Sequence, residues 1–326
     1  MTERTYIEAI REGLDEAMSS DPGVIVLGED VEGGGVFRAT EGLLEKYGRD
    51  RVIDMPLAES SIVGVAIGAA FNQIRPVAEI QFADFIFPAM NQIVSEAARI
   101  HYRSNGAFSC PIVIRVPCGG GIGGGLYHSQ SVEALFFHVP GLKIAVPSTP
   151  SDARALLIEA IRDPDPVLFF EHKRAYRLLK EDLDTSTPLP MGRALVRREG
   201  NDLTVITYGF MVHEALKAAE DLSSAAGIEA AVVDLRTLCP LDRATIIDAA
   251  SKTGKVLIVH EDTLTGGVGA EIAAIVASEC FDRLDGPVMR VAAPDVPSFP
   301  YAGSLEEFCL PNAARIAAAI QALAEY

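Results

Sequence analysis

The sequence is poor in basic residues, and this shortage limits the partners that it can bind. Its 326 residues include 28 Lys and Arg against 45 Asp and Glu, so the formal net charge is −17. A field of this sign repels phosphate polymers and anionic lipid surfaces. We therefore expect neither a nucleic-acid partner nor a membrane partner.

Paired cysteines and long apolar segments are also missing. The five cysteines are odd in number and widely spaced, and no Cys-x-x-Cys pair suggests a zinc or redox site. The longest apolar run, Ile62 to Phe71, is half of the roughly 20 residues that a membrane-spanning helix needs. Because the N-terminus also lacks the apolar core of a secretory signal, we expect a cytoplasmic protein.

Short apolar runs alternate with segments of helical spacing along most of the chain. Residues 24–27, 112–116 and 203–207 are typical of buried strands, and the spacing predicts a helix near 86–103. A charged stretch near 178–200 that contains prolines interrupts the pattern and is typical of a linker. The sequence therefore predicts an α/β protein with two doubly wound domains, residues 1–185 and the smaller 186–326.

A glycine-rich segment, residues 119–125, follows a predicted strand and leads directly to His128. It formally contains Gly-x-Gly-x-x-Gly, but a dinucleotide-binding turn opens into an apolar helix, and this segment does not. We therefore interpret it as a loop whose backbone approaches a ligand. His128, held next to this loop, is the best histidine candidate for chemistry. A serine hydrolase is disfavoured because the sequence has no Gly-x-Ser-x-Gly.

Glu59 stands at the start of a very apolar predicted helix. A favourable charge at a helix N-terminus is the simplest explanation for it. If the helix is buried, however, the carboxylate is costly unless a donor is provided for it. The sequence thus favours a buried carboxylate that awaits a protonated partner.

Several blocks in a fixed order carry a family resemblance. They are Pro56 to Glu59, Glu79 to Phe87, the glycine loop ending in Tyr127 to Ser131, and later blocks that extend it over nearly the whole chain. The sequence resembles the β subunit of the thiamine-diphosphate-dependent 2-oxo acid dehydrogenase E1 component. This resemblance implies a pyrimidine-binding, transketolase-like first domain and a transketolase C-terminal-like second domain.

The resemblance also implies roles for four residues. Glu59 matches the glutamate that hydrogen-bonds the pyrimidine ring, and so favours the tautomer whose exocyclic nitrogen removes the thiazolium proton. Phe85 matches the aromatic residue packed against the pyrimidine, and Gln81 is expected on the same wall. His128 matches the histidine that stabilises intermediates during transfer to the lipoyl group.

The partners follow from a motif that is missing. This cofactor's diphosphate and Mg²⁺ are usually held by Gly-Asp-Gly with a downstream Asn, and the sequence has no Gly-Asp-Gly. The resemblance places that half of the site on a separate E1 α subunit in an α2β2 tetramer. It also implies that a lipoyl acyltransferase, E2, docks on the C-terminal region.

A turn near residue 163 resembles a potassium-binding loop of several relatives. The resemblance implies as ligands the carbonyls of Ile112, Ala160 and Ile161, with Asp163 and Asp165. Asp165 stands where Asn is more usual. A structural Asp-Pro turn therefore remains the alternative.

The substrate is less determined than the family. Residues 171–177 and 261–267 resemble branched-chain enzymes most, pyruvate enzymes come next, and an acetoin dehydrogenase β subunit stays open. Two further alternatives are a transketolase-type fragment, supported by fold analogy alone, and a non-catalytic assembly subunit of the same fold.

Overall fold

The computed structural model describes residues 3–185 and 189–326 and divides the chain into two compact units. The first unit contains the residues up to Gly119 together with Leu135–Met191, and the second contains Gly120–Ala134 and Gly192–Tyr326. The predicted domain boundary after residue 185 adjoins residues 186–188, which lie outside the described residues, and it stays a prediction. The sequence pattern does not indicate that the segment 120–134 groups with the second unit.

The first unit is built on a parallel sheet. The strands of the whole unit are β1 (Glu3–Thr5), β2 (Val24–Gly28), β3 (Val52–Asp54), β4 (Arg75–Glu79), β5 (Val113–Cys118), β6 (Lys143–Ala145), β7 (Val167–His172) and β8 (Lys180–Asp182). Strands β1 and β8 pair with each other in a separate two-stranded sheet. Within this unit the sheet order is β6-β7-β5-β4-β2-β3, and all of these pairs are parallel. The central strands β5 and β7 are buried at every residue, as expected for strands covered on both faces.

The helices of this unit cover both faces of its sheet. They are α1 (Tyr6–Ser20), α2 (Leu43–Tyr47), α3 (Glu59–Ala70), α4 (Ile100–Arg103), α5 (Glu133–Phe137, which crosses the division between units), α6 (Pro150–Arg162) and α7 (Ala175–Leu178). Helix α1 starts at a reciprocal capping box between Thr5 and Glu8. It packs closely on α6, because a Cβ atom at Gly13 would lie only 3.4 Å from the Arg154 carbonyl oxygen.

Two expectations about secondary structure need correction. The predicted helix near 86–103 is broken into a 3-10 turn at Phe87–Ala89, a π-helix at Asn91–Ala97 and α4. Pro88 contributes to the break because its ring nitrogen has no hydrogen to donate. The predicted linker near 178–200 contains the strand β8, which pairs antiparallel with β1. The charged residues and prolines of this stretch are typical of a linker, and the short strand β8 was therefore not predicted.

The second unit is a smaller α/β unit. Its strands are β9 (Leu195–Arg198), β10 (Leu203–Thr207), β11 (Ala230–Asp234), β12 (Thr237–Cys239), β13 (Val256–Thr263) and β14 (Met289–Ala293). The sheet order is β14-β13-β10-β11-β9, parallel except that β9 pairs antiparallel with β11. Its helices are α8 (Met211–Ala226), α9 (Arg243–Thr253), α10 (Val268–Glu279), α11 (Gly303–Cys309) and α12 (Ala313–Ala324). The α/β prediction is thus confirmed.

Within 3–185 and 189–326, no helix has both the length and the apolar character needed to cross a bilayer.

Candidate active site

The carboxyl ends of three neighbouring parallel strands form one edge of the first unit's sheet. Strands β3, β2 and β4 lie side by side, and each is followed by polar residues. Glu29 follows β2 directly, Glu59 follows β3 after a short connection, and Gln81 follows β4. In open α/β sheets, ligands bind at this edge.

Glu59 is the first residue of α3 and has an unpaired side chain. Among the described residues, its carboxylate has no hydrogen-bond or ion-pair partner, and Ala58 before it supplies no side-chain cap. Glu59 is only partly buried, and α3 buries one face while Gly64, Val65 and Gly68 are exposed. The expectation of a fully buried helix therefore holds for one face only. The carboxylate is nevertheless available to a donor from outside the chain.

Glu29 is a neighbour that the sequence patterns did not single out. It is only 8% exposed, and its Oε1 atom has no hydrogen-bond partner among the described residues. Burial raises the pKa of this carboxyl group, and the charges of Glu59 and Asp30 raise it further. Its position directly after a buried strand was the signal that could have identified it. The edge thus holds two neighbouring carboxyl groups, and the charge of Glu59 disfavours ionisation of Glu29.

The structure places Gln81 and Phe85 near the same edge. The Gln81 side-chain amide donates to the Asp30 carboxylate over 3.1 Å, which fixes its orientation. The Phe85 ring lies edge-on to Phe82 with centroids 5.6 Å apart, and both rings are partly buried. Three of the four predicted site residues, Glu59, Gln81 and Phe85, therefore belong to the first unit.

A buried ion network braces the sheet beside this edge. The Arg115 guanidinium on β5 donates to both oxygens of Glu171 on β7, at 2.6 and 2.8 Å, and also pairs with Glu79 at the end of β4. The hydroxyl of Tyr176 donates to Glu171 over 2.7 Å. All three charged side chains are at most 3% exposed. The network ties together β4, β5 and β7.

Two carboxylates, Glu79 and Glu171, share the single positive charge of Arg115 in this network. Burial raises the pKa of Glu79, and the charge of Arg115 opposes the shift. Gly35 lies against the same carboxylate, since a Cβ atom there would stand 2.8 Å from its Oε1. The network therefore fits only a glycine at this position of the loop after β2.

His128, the fourth predicted site residue, belongs to the second unit. It is partly buried and follows a 3-10 turn at Gly125–Tyr127. The next residue, Ser129, is fully buried, and its hydroxyl has no partner among the described residues. On the other side, Tyr127 is 63% exposed. His128 thus stands where a surface loop turns into the interior of its unit.

An acidic cluster anchors the end of the same segment. Burial raises the pKa of Glu133 to about 8 and that of Asp262 to about 6, and the negative charges of the cluster add to both shifts. The Tyr208 hydroxyl donates to Glu133 over 2.8 Å, and the Ala134 amide donates to Asp262 over 3.4 Å. Sequence patterns did not identify this cluster, because its members are far apart in the chain.

The oxygens predicted to hold potassium already have partners within the chain, and three of the five residues contact a cationic side chain. The Lys143 ammonium lies 2.7 Å from both carboxylate oxygens of Asp163 and 3.3 Å from Asp165. Arg75 donates to the Ile161 carbonyl over 2.9 Å. The Ile112 and Ala160 carbonyls accept backbone N–H groups. A potassium ion would have to share these oxygens, and its binding stays a prediction.

Comparison with known proteins gives two family models that together span most of the chain. Residues 2–178 match "Transketolase, pyrimidine binding domain", and residues 192–316 match "Transketolase, C-terminal domain".

Individual relatives match over similar lengths. The chain is 58% identical to a 2-oxoisovalerate dehydrogenase subunit beta of Bacillus subtilis over 100% of both proteins. It is 47% identical to the pyruvate dehydrogenase E1 component subunit beta of the same species, over 96% of each. Among solved structures, a "split gene transketolase, inactive beta4 tetramer" matches with a TM-score of 0.80 and 27% identity, over 98% of each chain. The predicted division into pyrimidine-binding and C-terminal types of fold is confirmed.

Proposed function

The chain belongs to the family of 2-oxo acid dehydrogenase E1 β subunits, and on that premise we propose that it helps to decarboxylate a branched-chain 2-oxo acid. The observation that carries the proposal is the unpaired carboxylate of Glu59 at the ligand-binding edge of the sheet. A partly buried carboxylate without a donor fits a ligand that brings a protonated nitrogen.

The family implies thiamine diphosphate as the cofactor, and the first unit carries residues that fit its pyrimidine half. Glu59 would accept a hydrogen bond from the ring, Phe85 would pack on the ring face, and Gln81 would line the wall. When bound, this cofactor supplies the carbon acid on which a 2-oxo acid is decarboxylated.

Glu59 and Glu29 act together in this proposal. Burial raises the pKa of Glu29, and the negative charge of Glu59 raises it further, so ionisation of Glu29 is disfavoured beside Glu59. A localised charge on Glu59 strengthens its hydrogen bond to a protonated nitrogen. His128 would in turn donate to oxygen atoms of the substrate as they gain negative charge.

The other half of the site would come from an E1 α subunit, a partner that the family implies. The chain has no Gly-Asp-Gly, so we assign the diphosphate and Mg²⁺ to the α subunit of an α2β2 tetramer. The exposed outer face of α3 and the partly buried Glu59 at its start support a site completed by a second chain. A lipoyl acyltransferase, E2, would receive the acyl group. Cytoplasmic localisation and potassium binding also stay proposals.

The choice of a branched-chain substrate rests on degrees of identity. The 2-oxoisovalerate relative is 58% identical and the pyruvate relative is 47% identical, both from one species. The transketolase structure is 27% identical, which makes a sugar-phosphate substrate the weaker alternative. An acetoin-cleaving β subunit and a non-catalytic assembly subunit are distinguished by the assay below.

The test is a decarboxylation assay with thiamine diphosphate and Mg²⁺, on this chain alone and co-expressed with a candidate α subunit. We expect activity only in the mixture, and a higher kcat/KM for decarboxylation of 3-methyl-2-oxobutanoate than for decarboxylation of pyruvate. Acetoin has no carboxyl group, so its cleavage is followed separately by the release of acetaldehyde and should be slower. Activity of the isolated chain would contradict the shared site. A correctly assembled tetramer without activity would instead support the assembly-subunit alternative.

Glu59→Gln tests the carboxylate itself. Loss of its charge should lower kcat by about a hundredfold or more, because proton sharing with the cofactor is lost, while the tetramer still assembles. Glu45→Gln is the matched control, since Glu45 is an exposed glutamate of the same unit. Full activity of Glu59→Gln would disprove the proposed role.

A further inference from the structure

The glycine-rich segment before His128 forms a regular pattern of backbone conformation. Every second residue, namely Gly119, Gly121, Gly123 and Gly125, has a positive φ angle, at 88°, 79°, 69° and 61°. Residues that alternate between right- and left-handed conformations turn successive N–H groups toward one side, and such concavities bind anions. Only glycine adopts this alternation without strain. We call residues 119–125 the glycine loop.

A carboxylate of the same unit occupies the concavity. Glu306, on α11, accepts the Gly121 N–H at 2.8 Å and the Gly123 N–H at 3.3 to 3.4 Å. Glu306 is a buried residue and is only 7% exposed. Hydrogen bonds from backbone N–H groups to an ionised carboxylate are about twice as strong as neutral ones.

A second buried carboxylate holds both ends of the segment that carries His128. Glu261, on β13, accepts the Gly120 N–H at 2.7 Å and the Ser131 hydroxyl at 3.2 Å. It is 4% exposed. Because Gly120 and Ser131 lie on opposite sides of His128 in the sequence, this one side chain closes the segment into a loop.

Close packing fixes the course of the loop between these two anchors. A Cβ atom at Gly125 would lie 2.6 Å from the Tyr301 ring, and one at Gly124 would lie 2.8 Å from the Cβ of His128. The absence of side chains thus lets the backbone pass directly beside His128. The hydrogen bonds to Glu306 then have to supply the rigidity that glycines lack.

We propose that Glu306 is a positioning residue, whose carboxylate fixes the glycine loop and thereby the place of the His128 imidazole. This inference rests on the proposed function, in which His128 contacts the substrate. Glu306 itself takes no part in the reaction. A loop that is free to move would leave His128 misplaced for much of the time, and small misplacements of a catalytic group cost large factors in rate.

The experiment compares Glu306→Gln and Glu306→Ala with Glu307→Ala in the assembled α2β2 enzyme. Glu307 is the exposed neighbour of Glu306 on the same helix and serves as the matched control. Amide hydrogen exchange of residues 119–131 is measured beside kcat, KM and the Kd for thiamine diphosphate. Exchange reports on the loop whether or not the enzyme is active.

We expect Glu306→Ala to speed exchange in residues 119–131 by about tenfold, because charged hydrogen bonds are lost. We expect kcat to fall by about a hundredfold, with KM and the cofactor Kd within a factor of two of wild type. Glu306→Gln keeps an acceptor of the same shape and should lie in between. Added formate, a carboxylate small enough to replace the missing side chain, should partly restore kcat and protection in Glu306→Ala alone.

Two results would overturn the inference. One is faster exchange with unchanged kcat, and the other is a lower kcat with unchanged exchange. His128→Ala, assayed in the same series, separates this failure from failure of the proposed function. If His128→Ala is fully active, the proposed role of His128 is wrong. If it is inactive while Glu306→Ala is fully active, only the positioning role is wrong.

Discussion

The two units bury acidic side chains in different ways. In the first unit, Glu79 and Glu171 both form ion pairs with the guanidinium of Arg115. In the second unit, Glu133 and Asp262 accept hydrogen bonds from a tyrosine hydroxyl and a backbone amide, and their pKa values rise to about 8 and about 6. A buried acid is thus stabilised either by a fixed cation or by a retained proton. In the second unit these raised pKa values place the titration of both acids in the physiological range of pH.

The strongest way to break this comparison is to remove the cation. Arg115→Met leaves Glu79 and Glu171 buried without their partner, and we expect the free energy of unfolding to fall by about 3 to 5 kcal/mol. Urea denaturation of the isolated chain measures it. Arg177→Met, at an exposed arginine of the same unit, should change stability by less than about 0.5 kcal/mol. A loss below about 1 kcal/mol for Arg115→Met would show that the network is not needed.

A smaller effect on stability should appear in the second unit, where Glu133 retains its proton. The folded-state pKa of Glu133 is raised from 4.5 to about 8, so its stabilising contribution is complete below pH 4.5 and is lost as pH rises toward 8. Glu133→Gln has no proton to lose. We therefore expect the stability difference between wild type and this variant to shift by about 3 to 4 kcal/mol against wild type from pH 5 to pH 8.5.

The check is urea denaturation of both proteins across that pH range. Glu199→Gln, which changes an exposed glutamate of the same unit, controls for general charge effects. Parallel pH curves for wild type and Glu133→Gln would mean that Glu133 is ionised in the folded state.

The smallest effect concerns the turn at residue 163, a third group of acids that is paired with a cation. Lys143 is partly exposed, so Lys143→Met should lower stability by about 1 kcal/mol. The same unfolding curves in KCl and in NaCl test the predicted potassium site. If potassium binds the freed oxygens, KCl should restore part of the loss in the variant. Equal curves in the two salts would remove support for that site.

The sequence predicted what depends on local pattern and on motifs. Strand and helix alternation gave the α/β class, and Glu59, Gln81 and Phe85 were predicted near one site and lie at one sheet edge. The pairing of β8 with β1 was missed because a three-residue charged strand has too little pattern to recognise. The predicted helix near 86–103 was also wrong in detail, because its apolar spacing does not distinguish an α-helix from the 3-10 turn and π-helix that the structure has there.

The contacts that support the site could not be predicted either, because no local pattern encodes tertiary pairing. Glu306 and the glycine loop are about 180 residues apart in the sequence, and nothing near either one indicates the other. Arg115, Glu79 and Glu171 each stand within or at the end of a buried strand, where an isolated charge suggests only that some partner exists. Which partner that is depends on strand order and register.

The Arg115 network also has a consequence for how the sequence can change over generations. A replacement of Arg115 alone leaves two buried carboxylates without a cation, whereas a replacement of one glutamate still leaves a one-to-one pair, and a joint replacement of all three by apolar side chains of similar volume can be nearly neutral. The charged network and an apolar replacement of similar volume are therefore separated by variants of lower stability. The three codons should behave epistatically, so that a deep mutational scan finds Arg115 intolerant alone, and tolerant of apolar replacement only when Glu79 and Glu171 change with it.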